Sequence, residues 1–102
     1  MLKKYIYVLK ELQQTFIGKG QVKGFAFTQI EKTASCYIYE VKTECSKYYE
    51  VFKRIENTLF GCISYPTNNA FGKWAWTYLN LSKAEDKADE LELLFETKIG
   101  LV

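Results

Sequence analysis

Histidine is absent from this 102-residue chain, and proline, methionine and arginine occur once each. Without histidine the usual general base near neutral pH is missing, and no imidazole metal site can be built. Cysteine is scarce too. Cys36, Cys45 and Cys62 are an odd number at wide spacing, which fits neither a disulfide framework nor a zinc pattern. Free thiols in a reducing, cytoplasmic setting are the expectation. No run approaches the roughly 18 apolar residues of a membrane span, so no membrane partner is expected. The basic start, MLKKYIYVLKELQQ, regains charge at Lys10 and Glu11 and has no small-residue cleavage site, which argues against a signal peptide.

What the chain does have is aromatic material. At 48% apolar and 17% aromatic residues it is too hydrophobic to stay disordered. Its length suits a single domain, residues 1–102, with one core. Charge is unevenly distributed: eleven basic against six acidic residues through Leu81 (+5), then three against six from Ser82 onward (−3). One part of the surface is therefore expected to be basic and the last segment acidic. The stretch Phe60 to Asn80, FGCISYPTNNAFGKWAWTYLN, holds both tryptophans, the only proline and two of the six glycines. It reads as a turn-rich loop running into a strand.

Leu2, Tyr5, Leu9, Leu12 and Phe16 recur at steps of three and four, which predicts a helix from about Lys3 to Thr15. Gly18, Gly20 and Gly24 follow; GKGQVKG lacks the order of a phosphate-binding loop and reads as a flexible connector. Five segments then read as strands: Val22 to Glu31, Cys36 to Thr43, Tyr48 to Glu56, Leu59 to Tyr65 and Lys73 to Leu81. The short gaps between them favour an antiparallel meander, because parallel neighbours need long crossovers. Ser82-Lys83-Ala84-Glu85 fits a capping box opening a final helix with the stripe Ala84, Ala88, Leu91, Phe95. Its acids, Glu85, Asp86, Asp89, Glu90, Glu92 and Glu96, are expected to face water, and Gly100 can end it. The fold class is α+β: a single antiparallel sheet of about five strands with an N-terminal helix and a C-terminal amphipathic helix.

Along the last strand Ala75, Thr77, Leu79 and Leu81 alternate with Trp74, Trp76 and Tyr78. The small and aliphatic side suits close packing under the C-terminal helix. The aromatic side is then either covered by the N-terminal helix or left open as a binding platform. No catalytic constellation is visible. Ser64 has no evident base, Cys62 has no charged neighbour to activate it, and Glu50 and Glu56 read as solvated residues on a strand's outer face. No cofactor or metal is implied. The candidate binding residues are Trp74, Trp76, Tyr65, Arg54 and Lys73, the aromatics supplying contact area or stacking and the cations holding an anion. Arg54 has a plainer alternative, a surface pair with Glu50 or Glu56.

The segments GFAFTQI (Gly24 to Ile30), YIYEV, YYEVFKRIENTLFGCISYP and AFGKWAWT resemble a group of small proteins of phages and other mobile elements of gut bacteria. The resemblance covers about half of the chain, and CISYP with AFGKWAWT is its most specific part. It brings no established activity and no functional residues; it implies an accessory role such as interfering with host defence. A weaker resemblance is to WGR domains, nucleic-acid-binding sheets that end in a helix. YYEVFKRI, FGKWAWTYL and ELLFETKIG follow that order of elements, although the W-G-R triplet is missing and Lys53-Arg54-Ile55 stands nearest its place. Two readings follow. One is a non-enzymatic protein that occupies a host protein or a small defence signal; the other is a nucleic-acid binder using an aromatic and basic sheet face. Dimerisation through that face or through a free sheet edge is compatible with either.

Overall fold

Three neighbouring segments of alternating strand formers build the centre of the molecule: β2 (Ala26–Lys32), β3 (Cys36–Lys42) and β4 (Lys47–Lys53). The computed structural model describes residues 10–98. Short turns at Thr33–Cys36 and Thr43–Ser46 join these strands, each closed by a threonine hydroxyl that accepts from backbone N–H groups two and three residues ahead. The outer strands are β1 (Thr15–Ile17), paired with β2, and β7 (Ala75–Tyr78), paired with β4. The result is an all-antiparallel five-stranded sheet in the order β1-β2-β3-β4-β7. A bulge between Gln29 and Glu31 shifts the β2–β3 register and leaves Ile30 facing solvent.

The α+β class, the antiparallel sheet and the C-terminal helix agree with the sequence reading. The N-terminal helix expected from Lys3 to Thr15 falls mostly outside the described residues. Within them, Lys10 bridges Cys62 and Thr15 opens β1, so this end of the predicted helix is extended instead. Phe16 explains the strand: its ring stacks on Phe27 across β1 and β2, with centroids 4.6 Å apart. The predicted strand Leu59 to Tyr65 does not join the sheet. Only Cys62–Ile63 (β6) is strand there, paired with Glu56–Asn57 (β5) in a separate hairpin whose tip exposes Leu59 and Phe60. GKGQVKG, expected as a flexible connector, carries backbone hydrogen bonds of its own. Its backbone is stitched by Val22 N–H to Lys19, Lys23 N–H to Gly20, Gly24 N–H to Gly18 and Phe25 N–H to Val22. Those donors are spent within the loop, which closes the β1–β2 hairpin.

Side chains alternate across the sheet and form two separate cores. One face carries Phe27, Tyr37, Tyr39, Val41, Phe52 and Ala75, all buried, capped by Ile63, Ala70 and the half-buried Phe16, Tyr65 and Trp74. The other carries Cys36, Ile38, Tyr49 and Val51 beneath α1 (Leu81–Lys98), which contributes Ala84, Ala88 and Leu91. This reverses the expected arrangement of β7. The helix covers the Trp76 and Tyr78 side, while Ala75 lies in the aromatic core. The small residues that allow close approach are on the helix, at Ala84 and Ala88, and Ala75 leaves room for Phe52 and Trp74.

The helix begins two residues earlier than the capping box implied. Asn80 is its cap: its side-chain oxygen accepts from Lys83 N–H at 2.9 Å and faces the Ser82 hydroxyl at 3.1 Å. Such a cap contributes about 1 kcal/mol. Glu92 does not point to water as expected, but accepts a 2.5 Å hydrogen bond from the buried Ser35.

Candidate functional site

Glu50 sits at the centre of β4 with its side chain on the aromatic-core face, while its neighbours Tyr49 and Val51 both face α1; it lies opposite Tyr39 on one side and Thr77 on the other. The run Tyr48 to Phe52 is nearly continuous apolar material, so both faces of this strand are covered and Glu50 is carried inside with them. It is 5% exposed, which overturns its reading as a solvated outer-face residue. The Tyr65 hydroxyl donates to its carboxylate.

Above Glu50 the sheet opens into a cleft of about 490 Å³. Tyr48 and Glu50 of β4 and Thr77 of β7 line its sheet side. Tyr65, Pro66, Thr67, Asn68 and Phe71, from the segment linking β6 to β7, line a second side, and Lys19, Gln21 and Val22 of the β1–β2 loop line the third. A hydrogen bond of 2.8 Å from the Asn68 side-chain amide to the Gln21 side-chain oxygen clasps the two loops together. Gly18 sets the loop's position. Its N–H donates to Phe25, and it packs so closely on Val22 and Phe27 that a methyl group there meets both side chains.

The fold contains a second tyrosine–glutamate pair, and the two differ in one respect. Tyr37 donates to Glu11, which also receives Arg54 at 2.5 Å and Lys32 at 3.8 Å. The Tyr37 hydrogen bond, with Arg54 adding to it, holds the Glu11 carboxyl below its usual range against the opposing effect of burial. Among the described residues no lysine or arginine pairs with Glu50, and burial pushes its carboxyl above the usual range, only partly offset by Tyr65. Burial, with Glu50 adding to it, likewise drives the Tyr65 hydroxyl far above the ordinary tyrosine range.

The five sequence-predicted binding residues do not share one surface. Tyr65 alone lines the Glu50 cleft. Trp74 is half-buried on the aromatic face, edge-on to Phe52 at 6.5 Å. Trp76 is on the opposite face beside α1, where the Lys87 ammonium lies 4.0 Å from its ring centroid. Arg54 is engaged by Glu11 and by Glu56 at 2.8 Å; of its two anticipated partners it takes Glu56 and not Glu50. Lys73 is exposed in the turn before β7. Glu50 itself was missed. The signal for it is the apolar run on both sides, which marks a strand without a solvent face.

The three cysteines differ in placement. Cys36 is buried, its thiol pushed up by that burial and set against Thr33 at 3.5 Å. Cys45 is exposed in the β3–β4 turn, and Cys62 is half-buried beside Lys10. Among the described residues no group of three or more cysteine or carboxylate side chains is placed to hold a metal ion. No described helix is long and apolar enough to cross a membrane. No family model, characterised protein or solved structure matches the chain.

Proposed function

We propose that the chain is a non-enzymatic binding protein that works by occupying a partner, either a small signal molecule or a protruding group of a host protein. The observation that carries this reading is Glu50: a buried carboxylate at the base of a cleft, held by Tyr65 and walled by two loops that are clasped to each other. Burying a charged group without a counter-charge is costly, and such a cost is commonly tolerated where a ligand is received. The cleft lining holds neither cysteine nor serine; its polar groups are the Glu50 carboxylate, tyrosine and threonine hydroxyls, the Lys19 ammonium and two side-chain amides, which we read as recognition groups. The resemblance to phage and mobile-element proteins supplies the setting, an anti-defence or regulatory role. A nucleic-acid partner held by the candidate cations would need Arg54 released from Glu11 and Glu56, and nothing in the cleft favours that reading.

The test fills the cleft. Thr77 is exposed on β7 at its margin, so Thr77→Trp places a ring in the opening without entering either core. Fractions of host small molecules and host proteins are screened for a rise in the melting temperature of the wild-type protein. A ligand at 100 times its Kd adds about 2.7 kcal/mol, or roughly 10–20 °C for a domain of this size. A shift present in the wild type and lost in Thr77→Trp supports the reading. No shift, or one that survives the block, overturns it.

A further inference from the structure

The contrast between the two tyrosine–glutamate pairs identifies what the cleft lacks. At Glu11 the fold supplies the positive charge from Arg54; at Glu50 it supplies the tyrosine and, among the described residues, no cation. The space in front of Glu50 is bounded by aromatic rings, since Tyr48, Tyr65 and Phe71 all line the cleft. A carboxylate beside aromatic rings suits a cation, which the charge attracts and which rings can favour further through their π-systems. We propose that the cleft is a receptor for an organic cation, an ammonium or guanidinium group that pairs with Glu50 among the rings of Tyr48, Tyr65 and Phe71. The bound group plays at Glu50 the part that Arg54 plays at Glu11. This assignment rests on the cleft being the working surface, and it adds the charge and chemistry of what enters.

The groups facing Glu50 are Tyr65 from the β6–β7 segment, its strand neighbours Tyr39 and Thr77, Tyr48 on its own strand, and Lys19 across the cleft. Burial raises the hydroxyls of Tyr39, Tyr48 and Tyr65, so all three stay neutral while Glu50 titrates. Lys19 is exposed and makes no ion pair with Glu50. The carboxylate is therefore the titrating partner for an incoming cation, and binding strengthens as pH rises through the ionisation of Glu50.

The experiment titrates the folded protein with n-butylammonium and n-butylguanidinium, following backbone and aromatic NMR shifts, with 1-butanol and butyrate as the neutral and anionic counterparts. Short capped peptides carrying one lysine or one arginine are the second arm. Tighter binding of the free amines points to a small-molecule source, and tighter binding of the peptides to a protein side chain. In either case the expected result is cation-selective binding at the cleft resonances, weakened about 10–100-fold in Glu50→Gln, with its pH dependence flattened. Glu50→Gln keeps the shape of the side chain and an acceptor for Tyr65, and a retained NMR spectrum verifies its fold. Equal binding of the neutral or anionic counterpart overturns the assignment, as does unchanged affinity in Glu50→Gln. So does the absence of cation binding into the tens of millimolar range. If the screen meanwhile yields a neutral or anionic ligand that Thr77→Trp blocks, the charge class fails and the cleft stands; if both fail, the cleft is not the working surface.

Discussion

Phe52→Ala is the substitution that most directly measures the aromatic face. Phe52 is fully buried, and its ring centroid lies 5.3 Å from that of Tyr65, 5.5 Å from Tyr37, 5.7 Å from Tyr39 and 6.5 Å from Trp74. Truncating a buried phenylalanine to alanine costs about 3–5 kcal/mol, the upper end applying where the surroundings cannot collapse into the void. Here β4 is hydrogen-bonded on both sides, to β3 and to β7, so the flanking strands cannot close inward. The expected loss is therefore about 4–5 kcal/mol, against a total stability of about 5–15 kcal/mol for a domain. At about 4–8 °C per kcal/mol for a domain near this size, the melting temperature falls by roughly 16–40 °C. Urea unfolding followed by tryptophan fluorescence and by far-ultraviolet circular dichroism measures the loss. The two probes should coincide, with an unchanged dependence on denaturant. Phe52→Leu restores much of the volume and none of the ring contacts, each of which adds about 0.5–1.5 kcal/mol beyond area; it should fall between the two. A Phe52→Ala loss below about 2 kcal/mol with the same denaturant dependence would show that these rings are not the principal core, and the reasoning would fail.

Two further outcomes test other parts of the molecule. Gly18→Ala brings a methyl group to 2.3 Å from the Val22 carbonyl oxygen, 2.8 Å from Val22 Cγ2 and 2.9 Å from Phe27 Cε1, so it should cost at least about 1–3 kcal/mol in chemical denaturation and disturb the cleft loop; a neutral result would mean the loop is free to move. For Glu50 the folded chain binds the proton more tightly than the unfolded chain, whose value is the ordinary 4.5. Its contribution to stability is full below that value and is lost as pH rises through the raised folded value. Urea midpoints from acid to neutral pH should therefore decline across that window in the wild type and lose that component in Glu50→Gln. Glu11, held low, acts with the opposite sign and only as pH falls below its ordinary range, so the two effects separate.

The sequence made the central strands and the last helix legible because their patterns are long. β3 and β4 each run seven residues, with Tyr37, Tyr39 and Val41 all on one face, and Ala84, Ala88 and Leu91 mark one side of α1. β1 was hidden because three residues cannot show an alternation, and Leu12 and Phe16 happen to fit a helical step as well as the strand-and-loop path they follow. The segment Leu59 to Tyr65 has strand-forming residues, but Gly61 takes a φ of 65° and turns them into a hairpin. The faces of β7 were misjudged because Trp74 was counted in alternation with Trp76. Trp74 lies in the turn before the strand, where its N–H donates to Ala70, and its side chain goes to the other core. For the candidate site, Tyr65 was found through its aromatic context. Glu50 was passed over because a lone acid at an alternate position ordinarily marks a wet face, and here the wet face is covered by two loops that are remote in sequence.

The bridge between Lys10 and Cys62 sets an order on the making of this protein. Lys10 donates to Gly61 and accepts from Ile63, and Glu11 is tied to Tyr37 and Arg54. On a ribosome adding about 5–20 residues per second, the partner of Lys10 arrives about 3–10 s after it. The β2–β3–β4 hairpins, whose contacts are local, can be complete well before then. The strip at residues 10–13 is thus synthesised ahead of the sheet, and Lys10 can be seated only after the β5–β6 hairpin has been made.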